Sequence, residues 1–234
     1  MMRIGRKAAV LALIAGALAA TAVAVAAPIG VYRNAMGSQA QRGQMRNLSG
    51  KSCNRGGSED ALRVTLGKKT AECELRTPVV GRDLEIGATA RLLSGTPKAL
   101  RKKAFLAVDV RAGEQGAHYQ LAVYPLQGKA QLRKTLPGGH IKYLEIAKGV
   151  KAIKGLNEPT ELRLRAFNMT SGPEKGSCHI LAFVGKTKVA DVTDGAAGEL
   201  QGRSAAISIG ASKAAEGLVG SFDDVVVRVP NPYE

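Results

Sequence analysis

The segment at residues 219–229 constrains this chain more than any other. Val225, Val226, Val227 and Val229, interrupted by Arg228, form a β-branched run too short for a helix and rich in residues that suit a pleated strand. Gly217 and Gly220 punctuate its start, and Pro230 and Pro232 stop it. A strand this close to the C-terminus needs earlier strands to pair with, and the preceding sequence supplies about ten candidates of the right length.

Those candidates alternate. Leu62, Val64 and Leu66 share one side of residues 61–66, and Leu84, Ile86, Ala88 and Ala90 share one side of 83–93. Within 104–111, Leu106, Val108 and Val110 face one way, and Phe105, Ala107, Asp109 and Arg111 the other. Residues 118–124 place Tyr119, Leu121 and Val123 opposite His118, Gln120 and Tyr124. Residues 160–167 set Leu162, Leu164 and Ala166 against Glu161, Arg163, Arg165 and Phe167. Further strands are expected at 71–77, 129–134, 179–184, 188–192 and 204–209, with 141–153 mixed. Twenty-eight glycines supply turns between them. No segment has convincing helical amphipathicity, so the expected class is all-β, a sandwich of two antiparallel sheets.

The N-terminus carries an address. Arg3, Arg6 and Lys7 precede an Ala-rich apolar run, residues 8–27, in the pattern of an export signal. Ala24-Val25-Ala26 before Ala27-Pro28 fits a small-x-small cleavage site, while the run is also long enough for a single-pass anchor. Both place the bulk of the chain outside the cytosol, secreted or on the outer face of the cytoplasmic membrane. Residues 28–58 are polar and basic and read as a flexible linker, 59–230 as the sandwich and 231–234 as a tail.

The net charge of +15 favours an anionic partner such as an envelope polymer. Nucleic acid is disfavoured, because aromatics for stacking make up 4% of the chain and there is no Trp. In an oxidising compartment Cys53 and Cys73 are the candidate disulfide, and Cys178 reads as a buried thiol. The cysteine spacing fits no zinc site.

Several pieces together resemble concanavalin A-like lectin/glucanase domains, including laminin G-like modules of exported bacterial proteins. They are Gly116-Ala117-His118-Tyr119-Gln120-Leu121-Ala122-Val123, Asn157 ahead of Leu162-Arg163-Leu164, and the hairpin from Cys178 to Asp194 through Gly185 and Lys188-Val189-Ala190. The last is the closing Gly220-Ser221-Phe222-Asp223-Asp224-Val225-Val226-Val227. Val184-Gly185-Lys186 lacks the asparagine usual at that turn. The resemblance spans about residues 60–229 and implies a jelly-roll with one concave, partly open sheet.

That resemblance places the ligand candidates on the concave face: Asp109, Arg111, His118, Gln120, Tyr124, Arg163 and Arg165. The competing reading makes them solvated residues paired across strands. The alternating acids of laminarinase-type enzymes, E-x-D-x-x-E, are not found, nor is a serine nucleophile elbow. The expected function is therefore a non-catalytic module binding a glycan or another anionic partner. A divergent glycan hydrolase and a structural envelope module are the alternatives. No cofactor is expected; Asp223 and Asp224 are candidates for Ca²⁺ only.

Overall fold

The computed structural model describes residues 30–47, 53–58, 60–113 and 116–229. The apolar run at 8–27 and the tail at 231–234 lie outside them. Among the described residues no helix is long and apolar enough to cross a membrane.

The elements in chain order are β1 (Gly30–Asn34), α1 (Gln39–Gly43), β2 (Arg46–Asn47), β3 (Cys53–Ser58), β4 (Ala61–Leu66), β5 (Glu72–Val80) and β6 (Leu84–Leu92). Then come α2 (Lys98–Arg101), β7 (Ala104–Ala112), β8 (His118–Tyr124), β9 (Lys129–Thr135), β10 (Ile141–Lys148) and β11 (Thr160–Asn168). The chain closes with β12 (Cys178–Val184), β13 (Thr187–Asp194), β14 (Ser204–Ala211) and β15 (Val219–Arg228). They form two antiparallel sheets. The back sheet runs β13-β12-β11-β6-β15-β4-β3, with β1 also on β15; the front sheet runs β10-β9-β8-β7-β14-β5-β2.

The apolar side of each alternating segment faces the space between the sheets. Leu62, Val64, Leu66, Ile86, Leu106, Val108, Leu121, Leu164, Ile180 and Ile207 are all at most 2% exposed and belong to one core. The closing strand lies mid-sheet. It pairs with β6 along its length, with β4 through residues 219–222 and with β1 through its second half. One extra residue bulges between Asp223 and Val226, where Asp224 has φ of 47°. The bulge switches parity, so Phe222 points inward before it and Val225 and Val227 after it, each fully buried.

Of residues 28–58, expected as a flexible linker, the described ones contribute β1, α1, β2 and β3 to the sandwich; 28–29 and 48–52 lie outside the described residues. Ser38 caps α1 in a capping box with Gln41, and Met36 and Met45 plug the core at 0% exposure. Short edge strands are held by backbone pairing and need few apolar residues, so a polar composition hides them. Cys53 on β3 and Cys73 on β5 form a disulfide that ties the back sheet to the front. Cys178 is a buried free thiol, pushed up to about 11 chiefly by burial.

Candidate functional site

The outward face of the front sheet can be laid out from its register, since directly paired residues share a face. One row reads Arg76 (β5), Ala206 (β14), Asp109 (β7), Gln120 (β8), Arg133 (β9) and Tyr143 (β10). The next reads Glu74, Ser208, Ala107, Ala122 and Gln131. A third sets Glu72 beside Gly210 and Phe105, with Tyr124 paired to Lys129 further along. Ala107, Ala122, Ala206 and Gly210 therefore make a floor of small residues, which the taller side chains around them cover completely. At Gly210 even one methyl would meet the Phe105 ring at 2.6 Å, so this position holds glycine to let the ring lie across the strand.

The walls lean inward. Gln120 Nε2 donates to Glu72 Oε1 at 2.7 Å, although β7 and β14 separate their strands. Such a reach requires the sheet to curl toward this side, so the face is concave. Arg133 Nε donates to Gln120 Oε1 at 2.6 Å, and its guanidinium lies 3.7 Å from Glu72 Oε2 and 4.6 Å from the centre of the Phe105 ring. Phe105 and Tyr124 pack at 5.8 Å, with Lys129 Nζ 3.9 Å from the Tyr124 ring centre. Tyr143, at the outer edge, is half exposed. The trough thus has an aromatic end and a polar end.

The polar end is buried without being fully satisfied. Ser208 donates to Asp109 Oδ2, but Asp109 Oδ1, both ring nitrogens of His118, Glu74 Oε1 and Gln131 Oε1 have no partner among the described residues. Burial pushes Asp109 well above the usual carboxylate range, reinforced by the charges of Glu74 and Glu72. Burial and Glu72 raise Glu74 to about 7 against the pull of Arg76. Burial lowers His118 to about 4, so its imidazole is neutral at pH 7 and offers one donor and one acceptor.

Of the residues expected on one concave face, Asp109, His118, Gln120 and Tyr124 come together here. Arg111 does not. A bulge on β7, with φ of 54° at Arg111, swings its side chain into the interior. There Nη2 donates to Asn168 Oδ1 at 2.8 Å beside the Tyr119 ring. It joins a polar plug at one end of the core, where Lys134 Nζ contacts Asp194 Oδ2 at 2.7 Å and Glu199 Oε2 at 2.6 Å, and Tyr119 donates to Asp194. Burial pushes Asp194 up, but these bonds and the Ala196 N–H outweigh it and hold the carboxyl low.

Arg163 and Arg165 belong to β11, on the outer side of the back sheet. Arg165 pairs with Glu85 at 2.7 Å directly across the ladder, and Arg163 stacks 4.2 Å over the Phe183 ring. Asp223 faces Arg91 at 3.8 Å and accepts from the Asp224 N–H. Among the described residues no three His, Cys, Asp or Glu side chains gather where they could hold a metal. Sequence reasoning passes over Glu72, Glu74, Phe105, Arg133 and Ser208 as site residues. A signal for two of them exists, because Glu72-Cys73-Glu74-Leu75-Arg76 alternates as cleanly as β7 and β8 do.

At the end of the trough, beyond Arg76, opens a cleft of about 490 Å³ lined by Arg76, Ala117, Glu199, Gln201, Arg203 and Ser204, among others.

Comparison with known proteins gives the fold. No family model matches the chain, and no curated protein matches its sequence. A carbohydrate-binding module, CBM66, from Bacillus subtilis superposes with a TM-score of 0.58 at 10% identity, over 79% of this chain and 95% of the other. A Bacillus subtilis protein with a galectin-like fold gives 0.58 at 12% identity, over 86% and 96%. The carbohydrate recognition domain of Emp46p, in a mutant form, gives 0.56 at 12%, over 86% and 97%. A glycosidic hydrolase gives 0.55 at 10%, over 88% and 99%. The chain therefore has the two-sheet jelly-roll sandwich on which carbohydrate-binding modules and galectin-like proteins are built, and at these identities the likeness extends to the fold alone.

Proposed function

We propose that this protein is a non-catalytic binding module that takes a glycan in the concave trough of its front sheet. The observation that carries the reading is the set of buried hydrogen-bonding atoms left without partners on an outward face. Leaving such groups unpaired costs about 1–3 kcal/mol each, and a sugar's hydroxyls offer the donors and acceptors they need once the side chains covering them move aside. Tyr124, partly buried, and Tyr143, half exposed, supply apolar surface toward β10, as a pyranose face requires. The carbohydrate-binding proteins of the same fold support this choice.

The module acts outside the cytosol in this proposal, secreted or anchored. The basic-then-apolar N-terminus and the Cys53–Cys73 disulfide both support export. A glycan array at low and high salt tests the binding. The expected result is saturable binding at both salt concentrations, weakened about tenfold in Tyr124→Ala. Binding to every glycan that disappears at high salt would reduce the effect to net charge and defeat the proposal.

A second reading, a divergent glycan hydrolase, draws on Glu74, whose carboxyl titrates near 7 beside Glu72 and Asp109, a useful range for a general acid. It requires product release from a polysaccharide panel, lost in Glu74→Gln.

A further inference from the structure

We propose that the cleft beyond Arg76 is an oxyanion subsite, and that the chain bound in the trough is a sugar polymer carrying a carboxylate or sulfate. The inference rests on the glycan-binding reading and goes further by assigning a charge class to the ligand and naming the residues that read it.

Two arginines, Arg76 and Arg203, line this cleft, and a third, Arg46, neighbours Arg76 outside its lining. Arg46 on β2 lies directly opposite Arg76 on β5, so the two side chains share the outward face at the closest spacing a ladder offers. Arg203 lines the cleft with Arg76, and its carbonyl accepts from the Gly81 N–H at 2.7 Å, fixing it beside the end of β5. Among the described residues none of the three forms an ion pair. Nε and Nη2 of Arg76 are buried and without partners. Like charges set opposite one another destabilise a sheet, and the two buried nitrogens of a partly exposed guanidinium add unused donors.

The acids nearby are already engaged or weakened. Glu199, half exposed in the cleft wall, is paired at 2.6 Å with Lys134, which it shares with Asp194. Glu74, two residues along the same face, titrates at about 7 and so carries only part of its charge near neutrality. Glu72 is taken by Gln120 and Arg133. The unfilled demand in this cleft is thus for negative charge, and a planar guanidinium fork matches a carboxylate or sulfate with two parallel hydrogen bonds.

Position couples the cleft to the trough. Arg76 heads the row that continues through Ala206, Asp109 and Gln120 to Arg133. A sugar chain running obliquely from Arg76 across Ala206, Ala107 and Ala122 places one ring's substituent at Arg76 while other rings reach Tyr124.

Titration calorimetry on the full chain tests this with three probes: trigalacturonate, its neutral methyl ester, and a sulfated neutral trisaccharide. The expected result is that at least one charged probe binds about tenfold tighter than the ester. In Arg76→Gln and Arg203→Gln, each shown to melt like the wild type, that preference falls away while ester binding stays. Which charged probe is preferred identifies the oxyanion. Equal affinity for all three probes, or a preference surviving in Arg76→Gln, would overturn the subsite and leave the trough reading standing if Tyr124→Ala still weakens the ester. Arg76-dependent binding that ignores Tyr124→Ala and Gln120→Ala would keep the subsite and overturn the trough.

Discussion

Replacing Glu74 by glutamine should stabilise this protein in a strongly pH-dependent way. Glu74 is 8% exposed on the front sheet's outward face, where burial and Glu72 raise it from 4.5 to about 7. A carboxyl raised in the folded state keeps its proton longer there than in the unfolded chain. Its contribution is fully present below the unfolded value and is lost as pH rises through about 7. That rise, at about 1.36 kcal/mol for each pH unit, sets an upper limit of about 3 kcal/mol. Asp109, raised for the same reasons, acts in the same direction. His118 acts oppositely: lowered from 6.5 to about 4, it costs stability as pH falls through that window. The wild-type profile therefore mixes three groups, and the difference between wild type and Glu74→Gln separates them. Gln mimics the protonated acid, so the two proteins should be within about 1 kcal/mol at pH 5. At pH 8 the variant should be more stable by up to about 3 kcal/mol, some of it relief of Asp109. Urea denaturation at both pH values reads this directly, as a midpoint shift of about 1–2 M for a typical slope. An equal difference at pH 5 and pH 8 would mean that Glu74 is solvated in both states. The inward-leaning walls of the trough would then be wrong.

Three further outcomes are expected. Reducing the Cys53–Cys73 bridge, which spans 20 residues, should lower unfolding free energy by about 3 kcal/mol in urea titrations with and without dithiothreitol; no change would remove it as the link between the sheets. Lys134→Met should cost about 3–5 kcal/mol by stranding Asp194 in the core end, and adding Asp194→Asn should recover part of it; a near-neutral single variant in urea would mean the plug is solvated. Arg163→Gln with Arg165→Gln should leave glycan affinity within about twofold in the array, because both lie on the back sheet; a large loss would move the binding face there.

Alternation in the sequence locates nearly every strand between residues 61 and 229, because a half-buried strand must repeat with period two. It also separates inward from outward sides: Leu106, Val108 and Val110 line the core, while Asp109 and Gln120 face away from it. What it cannot supply is which sheet each strand joins. The outward sides of β8 and β11 look alike in one dimension, yet they point to opposite surfaces of the sandwich. Sequence alone therefore groups His118 and Gln120 with Arg163 and Arg165. Sheet membership depends on crossovers, and those depend on pairings between segments about a hundred residues apart, such as Ser208 with Ala107.

Bulges impose the second limit. Arg111 follows the outward sequence Phe105, Ala107 and Asp109, but one residue of left-handed backbone turns it inward to Asn168 and Tyr119. Nothing in the local sequence marks that turn; the backbone is fixed by β14, where Ser204 and Ala205 pair with Ala112 and Val110 and leave Arg111 unpaired. The same logic explains why the trough's own residues are only half legible. Asp109 and Gln120 stand out as polar residues on clean strands, whereas Ala107, Ala122, Ala206 and Gly210 carry no chemistry and read as filler. Yet it is their small size that lets the taller outward side chains of a concave sheet fold together over its centre, where Ala107, Ala122 and Ala206 are 0% exposed. A binding face of this type is written as much in its alanines as in its charged rim. Ala107→Leu or Ala206→Leu should therefore abolish binding in the glycan array while leaving the core-facing residues of β7 and β14 untouched, and undiminished binding in both would show that the ligand does not lie over this floor.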